Sequence, residues 1–113
     1  MVPKGNPDRL PGARATEALR YSIADLEELE VDTWVSVHGG FNTNILTTVN
    51  PDYGMPLKSL RELQRRGLIK GIYPYFYTTV GNQTAVNASK DIGAEVAGDL
   101  KKAGVDAVIE VAG

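Results

Sequence analysis

The sequence predicts an α/β fold, a small and mostly parallel sheet with flanking helices, on three observations. A long stretch repeats apolar residues at three- and four-residue spacing, passes through Gly104 and leads directly into the β-branched run Val105-Asp106-Ala107-Val108-Ile109-Glu110-Val111. A second, shorter stretch has the same helical period. The order helix, glycine, strand is the turn of an α/β unit and favours parallel strands. With 113 residues the chain holds one core and is read as one domain or part of one.

Taken in order, residues 1–20 contain three prolines and two glycines and predict an irregular N-terminal arm. Residues 23–30 predict a short helical patch, with Ile23, Leu26 and Leu29 on one face and Asp25, Glu27, Glu28 and Glu30 on the other. Trp34-Val35-Ser36-Val37-His38 is rich in β-formers and reads as a strand that stops at Gly39-Gly40. The asparagines, Pro51 and Asp52 of the next segment are loop chemistry, with a short extended stretch at 45–49.

Residues 56–66 read as a helix. Pro56 suits its first turn, Leu57, Leu60 and Leu63 form its apolar stripe, and Lys58, Arg61, Glu62, Arg65 and Arg66 face solvent. Gly67 followed by Leu68 predicts a Schellman end. Residues 68–76 have β character, although Pro74 disfavours a central strand. Residues 84–103 form the clearest helix, with Ala85, Ala88, Ile92, Val96 and Leu100 on one stripe and Gly104 as its cap.

Composition narrows the function. Apolar residues at 42% and charged residues at 23% are ordinary for a globular protein and exclude a low-complexity or disordered chain. The net charge of −2 argues against nucleic acid or an anionic membrane as partner. No apolar run spans a bilayer and no signal-peptide pattern opens the chain, so a cytoplasmic protein is expected. Cys is absent and His38 is the sole histidine. Thiolate nucleophiles, disulfides and multi-histidine metal sites are therefore excluded for these residues, and no metal site is expected.

The candidate site residues fall in two loops. His38 ends a strand before Gly39 and Gly40, where an imidazole can shuttle protons and a substrate can approach the backbone. A histidine that only hydrogen-bonds a loop carbonyl fits the same pattern. Thr78, Thr79, Gly81 and Asn82 precede the long helix, whose N-terminal N–H groups and partial positive charge can hold a carboxylate or phosphate. Simple capping of that helix by Thr79, Asn82 or Thr84 is the alternative. Tyr73, Tyr75, Phe76 and Tyr77 either cage an ammonium group or pack a core or interface, and Trp34 reads as packing. Asp106 and Glu110 share one strand face, as acid–base groups or as edge solubility.

Five segments stand out together: Val2-Pro3-Lys4-Gly5-Asn6-Pro7-Asp8, His38-Gly39-Gly40-Phe41, Met55-Pro56-Leu57 with Leu60-Arg61-Glu62-Leu63 and Gly67-Leu68-Ile69, the run from Leu100 to Ile109 and, most specific, Tyr75-Phe76-Tyr77-Thr78-Thr79-Val80-Gly81-Asn82. In this order they resemble the selenoprotein B family of glycine, sarcosine and betaine reductases, and more distantly the D-proline reductase selenoprotein. Phe41-Asn42 stands where the family usually has Tyr-Asp.

The resemblance implies reductive cleavage of the C–N bond of glycine, sarcosine or betaine by a substrate-specific B component. It implies no cofactor within these residues. The family's selenocysteine lies in a Gly-Thr-Cys-x-x-Cys context shortly after the strand 105–111, and a pyruvoyl group is carried on a partner subunit. Implied partners are that pyruvoyl-bearing subunit, the small selenoprotein A and a thioredoxin-linked electron donor. The chain is then expected to be an internal segment, a fragment of a larger α/β domain, with Met1 an internal start and a UGA codon read as stop after Gly113. Without selenol or thiol it is expected to be inactive alone. The alternatives are a noncatalytic small-carboxylate or phosphate-binding module that self-associates through a sheet edge and, last, a lyase or racemase using His38 as base.

Overall fold

A computed structural model describes residues 1–5, 17–36, 49–79 and 84–111. Its strands are β1 (Val2–Pro3), β2 (Leu19–Ser22), β3 (Trp34–Val35) and β4 (Tyr75–Thr78), and its helices are α1 (Leu57–Arg65) and α2 (Val86–Lys102). A 3-10 turn, Pro51–Tyr53, precedes α1.

The strands form two antiparallel pairs, β1 with β3 and β2 with β4. This corrects the expected mostly parallel sheet; the mixed α/β content stands. The parallel expectation rested on residues 105–111 entering a sheet with the strand before α2, and those residues join no ladder among the described strands. Helix followed by strand dictates a parallel direction only when both flanking strands share one sheet.

In the second pair Arg20 faces Tyr77, Tyr21 faces Phe76 and Ser22 faces Tyr75. Alternation therefore sends Tyr21 and Phe76 to one side, and Arg20, Tyr75 and Tyr77 to the other. The first side is the core. Tyr21, Phe76 and Trp34 of β3 make a triangle of rings with centroids 5.5–5.9 Å apart. Ile23, Leu29, Met55 and Leu57 complete the buried cluster, with Leu57 wholly inaccessible. Trp34 thus joins the two ladders, which share no strand.

Residues 1–20 are more ordered than expected, since they supply β1 and β2, while 6–16 lie outside the described residues. The helical patch over 23–30 does not form and is a series of turns. Ile23 N–H donates to Pro74 O at 2.9 Å and extends the β2–β4 ladder, so the first residue of the patch is drawn into the sheet. A stretch so short does not overcome the cost of helix nucleation. Its apolar residues remain inside nonetheless, with Ile23 and Leu29 buried and Leu26 half-buried. Trp34 and Val35 form a strand as expected; the rest of that run from Val37, and residues 45–48, lie outside the described residues. β4 starts immediately after Pro74, so the proline bounds the strand.

Both helix ends follow the sequence reading. Gly67 (φ 71°) and Gly104 (φ 70°) adopt the left-handed conformation. Leu68 N–H bonds Leu63 O and Gly67 N–H bonds Gln64 O, while Val105 and Gly104 do the same to Leu100 and Lys101, all at 3.0–3.1 Å. These are Schellman pairs. The start of α1 holds a feature the sequence hid. Pro56 is its N-cap and offers no side-chain bond, and Asp52 takes over. Its carboxylate accepts from Lys58 N–H at 2.9 Å, Ser59 N–H at 3.1 Å and Ser59 Oγ at 2.6 Å. An anion at a helix N-terminus is favourable both as acceptor and as counter-charge.

No helix among the described residues is long and apolar enough to cross a membrane.

Candidate functional site

Of the residues singled out in the sequence, Thr78 and Thr79 are described, whereas His38, Gly39, Gly40, Gly81 and Asn82 lie outside the described residues. Thr78 ends β4, and its Oγ1 accepts a 2.9 Å bond from the Met1 amino group. Burial holds that amine below its ordinary pKa. Thr79 follows, exposed, with α2 beginning only at Val86. Neither Thr79 nor Thr84 caps α2, because the N-cap is Ala85 and has no side-chain bond. The hydroxyl of Thr84, just before that cap, is buried with no hydrogen-bond partner among the described residues.

The polar face of the β2–β4 pair carries a cluster that spacing alone did not bring together. Tyr77 Oη donates to Asp99 Oδ2 of α2 at 2.9 Å, and the Arg20 guanidinium lies 3.8 Å from the same oxygen. Arg20 also stacks over the Tyr75 ring at 4.7 Å, and Tyr73 and Tyr75 rings sit 5.7 Å apart. The aromatic run therefore divides. Phe76 packs the core, while Tyr75 already receives a cation from within the chain. A periodicity argument could have split the run, since alternate residues of a strand face opposite ways; the partners Arg20 and Asp99 come from distant segments and left no local signal.

Burial, then hydrogen bonding with Tyr73 and Asp99, pushes the Tyr77 phenol up to about 12 from the ordinary value near 10. A raised phenol means that the folded state keeps the proton more tightly than the unfolded chain. The corresponding stability is complete below pH ~10 and is lost as pH rises towards ~12. Absorbance titration at 295 nm should show a tyrosine step displaced up to about 12, and Tyr77→Phe should remove that step. A titration curve unaltered by the substitution would contradict this geometry.

A groove of about 680 Å³ lies between residues 28–31, 49–53 and the start of α1. Three of its charged groups are engaged structurally. Asp52 caps α1, and Lys58 Nζ pairs with Glu28 at 2.7 Å. No cluster of three or more His, Cys, Asp or Glu suited to a metal occurs among the described residues.

Comparison with known proteins places the chain in a class. Residues 1–113 match the family glycine/sarcosine/betaine reductase selenoprotein B, and the chain belongs to that family. It is 41% identical to the glycine reductase complex component B subunit gamma of Carboxydothermus hydrogenoformans. It is 36% and 34% identical to the betaine and sarcosine reductase complex component B subunits beta of Peptoclostridium acidaminophilum. Each alignment covers 96% of this chain and 25% of the relative, so the chain spans about a quarter of these relatives' length. All three relatives are subunits of multi-component reductase complexes. No solved structure matches.

Proposed function

We propose that this chain is a segment of the substrate-specific B component of a cytoplasmic complex that reductively cleaves the C–N bond of glycine, sarcosine or betaine. The observation that carries the reading is the match of the whole chain, residues 1–113, to the selenoprotein B family. The reading places the selenocysteine and its cysteines in the part of the component outside these residues. On this reading a pyruvoyl group on a partner subunit would hold primary or secondary amine substrates. A selenol outside these residues, the small selenoprotein A and a thioredoxin-linked donor would supply the reductive chemistry. The chain itself has no Cys, hence no chalcogen nucleophile, and serves as scaffold.

A second reading, a noncatalytic small-carboxylate or phosphate site before α2, is favoured by one observation. Among the described residues the N-terminus of α2 has no side-chain cap, and the adjacent Thr84 hydroxyl is buried with no partner. One set of assays separates the two. The purified chain should turn over none of the three substrates with dithiothreitol. A glycine reductase B subunit whose matching quarter is replaced by this chain should retain turnover with its partner components. Turnover by the chain alone, or a dead but folded chimera, would overturn the scaffold role. Calorimetric binding of acetate or phosphate by the chain, abolished by Thr84→Val, would establish the second reading.

A further inference from the structure

Residues 105–111 leave α2 through the Gly104 cap and join no ladder among the described strands. Val105 is half-buried, but every later residue to 111 is exposed, including Val108 at 66%, Ile109 at 61% and Val111 at 46%. In an extended conformation Val105, Ala107, Ile109 and Val111 share one side, with Asp106, Val108 and Glu110 on the other. One wholly apolar side opposite one bearing two carboxylates is the pattern of a strand packed on a core through a single face. Left in water, such a segment exposes β-branched side chains together with unpaired backbone groups.

We propose that residues 105–111 form a β-strand completed by the remainder of the B subunit. A neighbouring strand pairs with its backbone, and an apolar layer covers Val105, Ala107, Ile109 and Val111. This inference rests on the B-component reading. Two observations select the occupant. The matched relatives are about four times as long as the aligned stretch, so three-quarters of such a subunit is available to supply the missing neighbours. Charge argues against a second copy of this chain. Antiparallel self-pairing centred on Val108 sets Asp106 opposite Glu110 twice, and parallel in-register pairing stacks each carboxylate on its twin. Like charges directly opposed across strands destabilise the pair. The neighbouring strand therefore carries neutral or basic residues opposite positions 106 and 110.

Amide hydrogen exchange tests the proposal in the 113-residue chain and in a full-length B subunit carrying this segment. In the short chain the amides of 106–111 should exchange within about tenfold of an unstructured peptide, and in the full subunit at least about 100-fold more slowly. Equal, fast exchange in both would overturn the proposal. So would protection in the short chain that grows with protein concentration, since the occupant would then be a second copy. Ile109→Asp in the full subunit should abolish the protection, and Ile109→Val, which keeps the apolar face, should preserve it. A full subunit that protects the segment yet fails to support reductase turnover would defeat the functional reading and leave this inference standing.

Discussion

Trp34→Ala should cost about 3–5 kcal/mol of folding stability, the range for removing a buried aromatic from a packed core. A domain of this size is stable by about 5–15 kcal/mol, so the variant keeps only a narrow margin or none. The side chain is 8% exposed and contacts both Tyr21 and Phe76. Each ring pair adds about 0.5–1.5 kcal/mol beyond the area it buries. The position matters more than the area. β1–β3 and β2–β4 are separate ladders, so the ring triangle, together with the bond from the Met1 amine to Thr78 Oγ1, ties them to one another. Trp34→Phe keeps part of the triangle and should lose clearly less. Urea unfolding followed by circular dichroism reads both variants, because Trp34 is the only tryptophan and its fluorescence disappears with it. A loss below about 1 kcal/mol for the alanine variant would show that the ladders are held together elsewhere.

What the sequence made legible was local. The ends of α1 and α2 at Gly67 and Gly104 could be read because a left-handed glycine after an amphipathic stripe leaves few alternatives. Leu57 heads the apolar stripe expected of α1 and is fully buried. Pairing was not legible. β2 and β4 are separated by more than fifty residues, and nothing within Leu19-Arg20-Tyr21-Ser22 announces Tyr75-Phe76-Tyr77-Thr78 as its partner. The two-residue strands β1 and β3 carry no period at all. The same limit applies to function. The family could be recognised from runs such as Tyr75 to Asn82, but the link from Tyr77 to Asp99 and Arg20 needs three distant segments to meet. Residues 105–111 have strong intrinsic β character, yet a strand exists only through its neighbours, so propensity overstated what this chain can form alone.

Arg61→Ala should cost about 2–4 kcal/mol, although the sequence assigned Arg61 to the solvent face of α1. Its Nε donates to Leu26 O at 3.0 Å, and Nη2 donates to Ile23 O at 3.0 Å and Ala24 O at 3.1 Å. Nη1 reaches Gln64 Oε1 at 3.4 Å. The guanidinium thus satisfies three carbonyls of the turns that replace the expected helical patch, and it pins those turns to α1. Hydrogen bonds to a charged group contribute about 1.5–3 kcal/mol each, and bonds that share one guanidinium do not add fully. Arg61→Lys places a compact ammonium where a planar fork is required and should recover less than about half of the loss. Arg65, one turn further on, supplies the control. Its pairs with Glu27 at 3.1 Å and Glu62 at 3.0 Å are exposed, so Arg65→Ala should cost less than about 1 kcal/mol. Urea unfolding followed by Trp34 fluorescence compares the three variants. Equal losses for the two alanine substitutions would mean that the 23–26 turns hold their shape without Arg61. A loss several times larger at Arg61 makes its side chain the bracket between the core turns and the first helix.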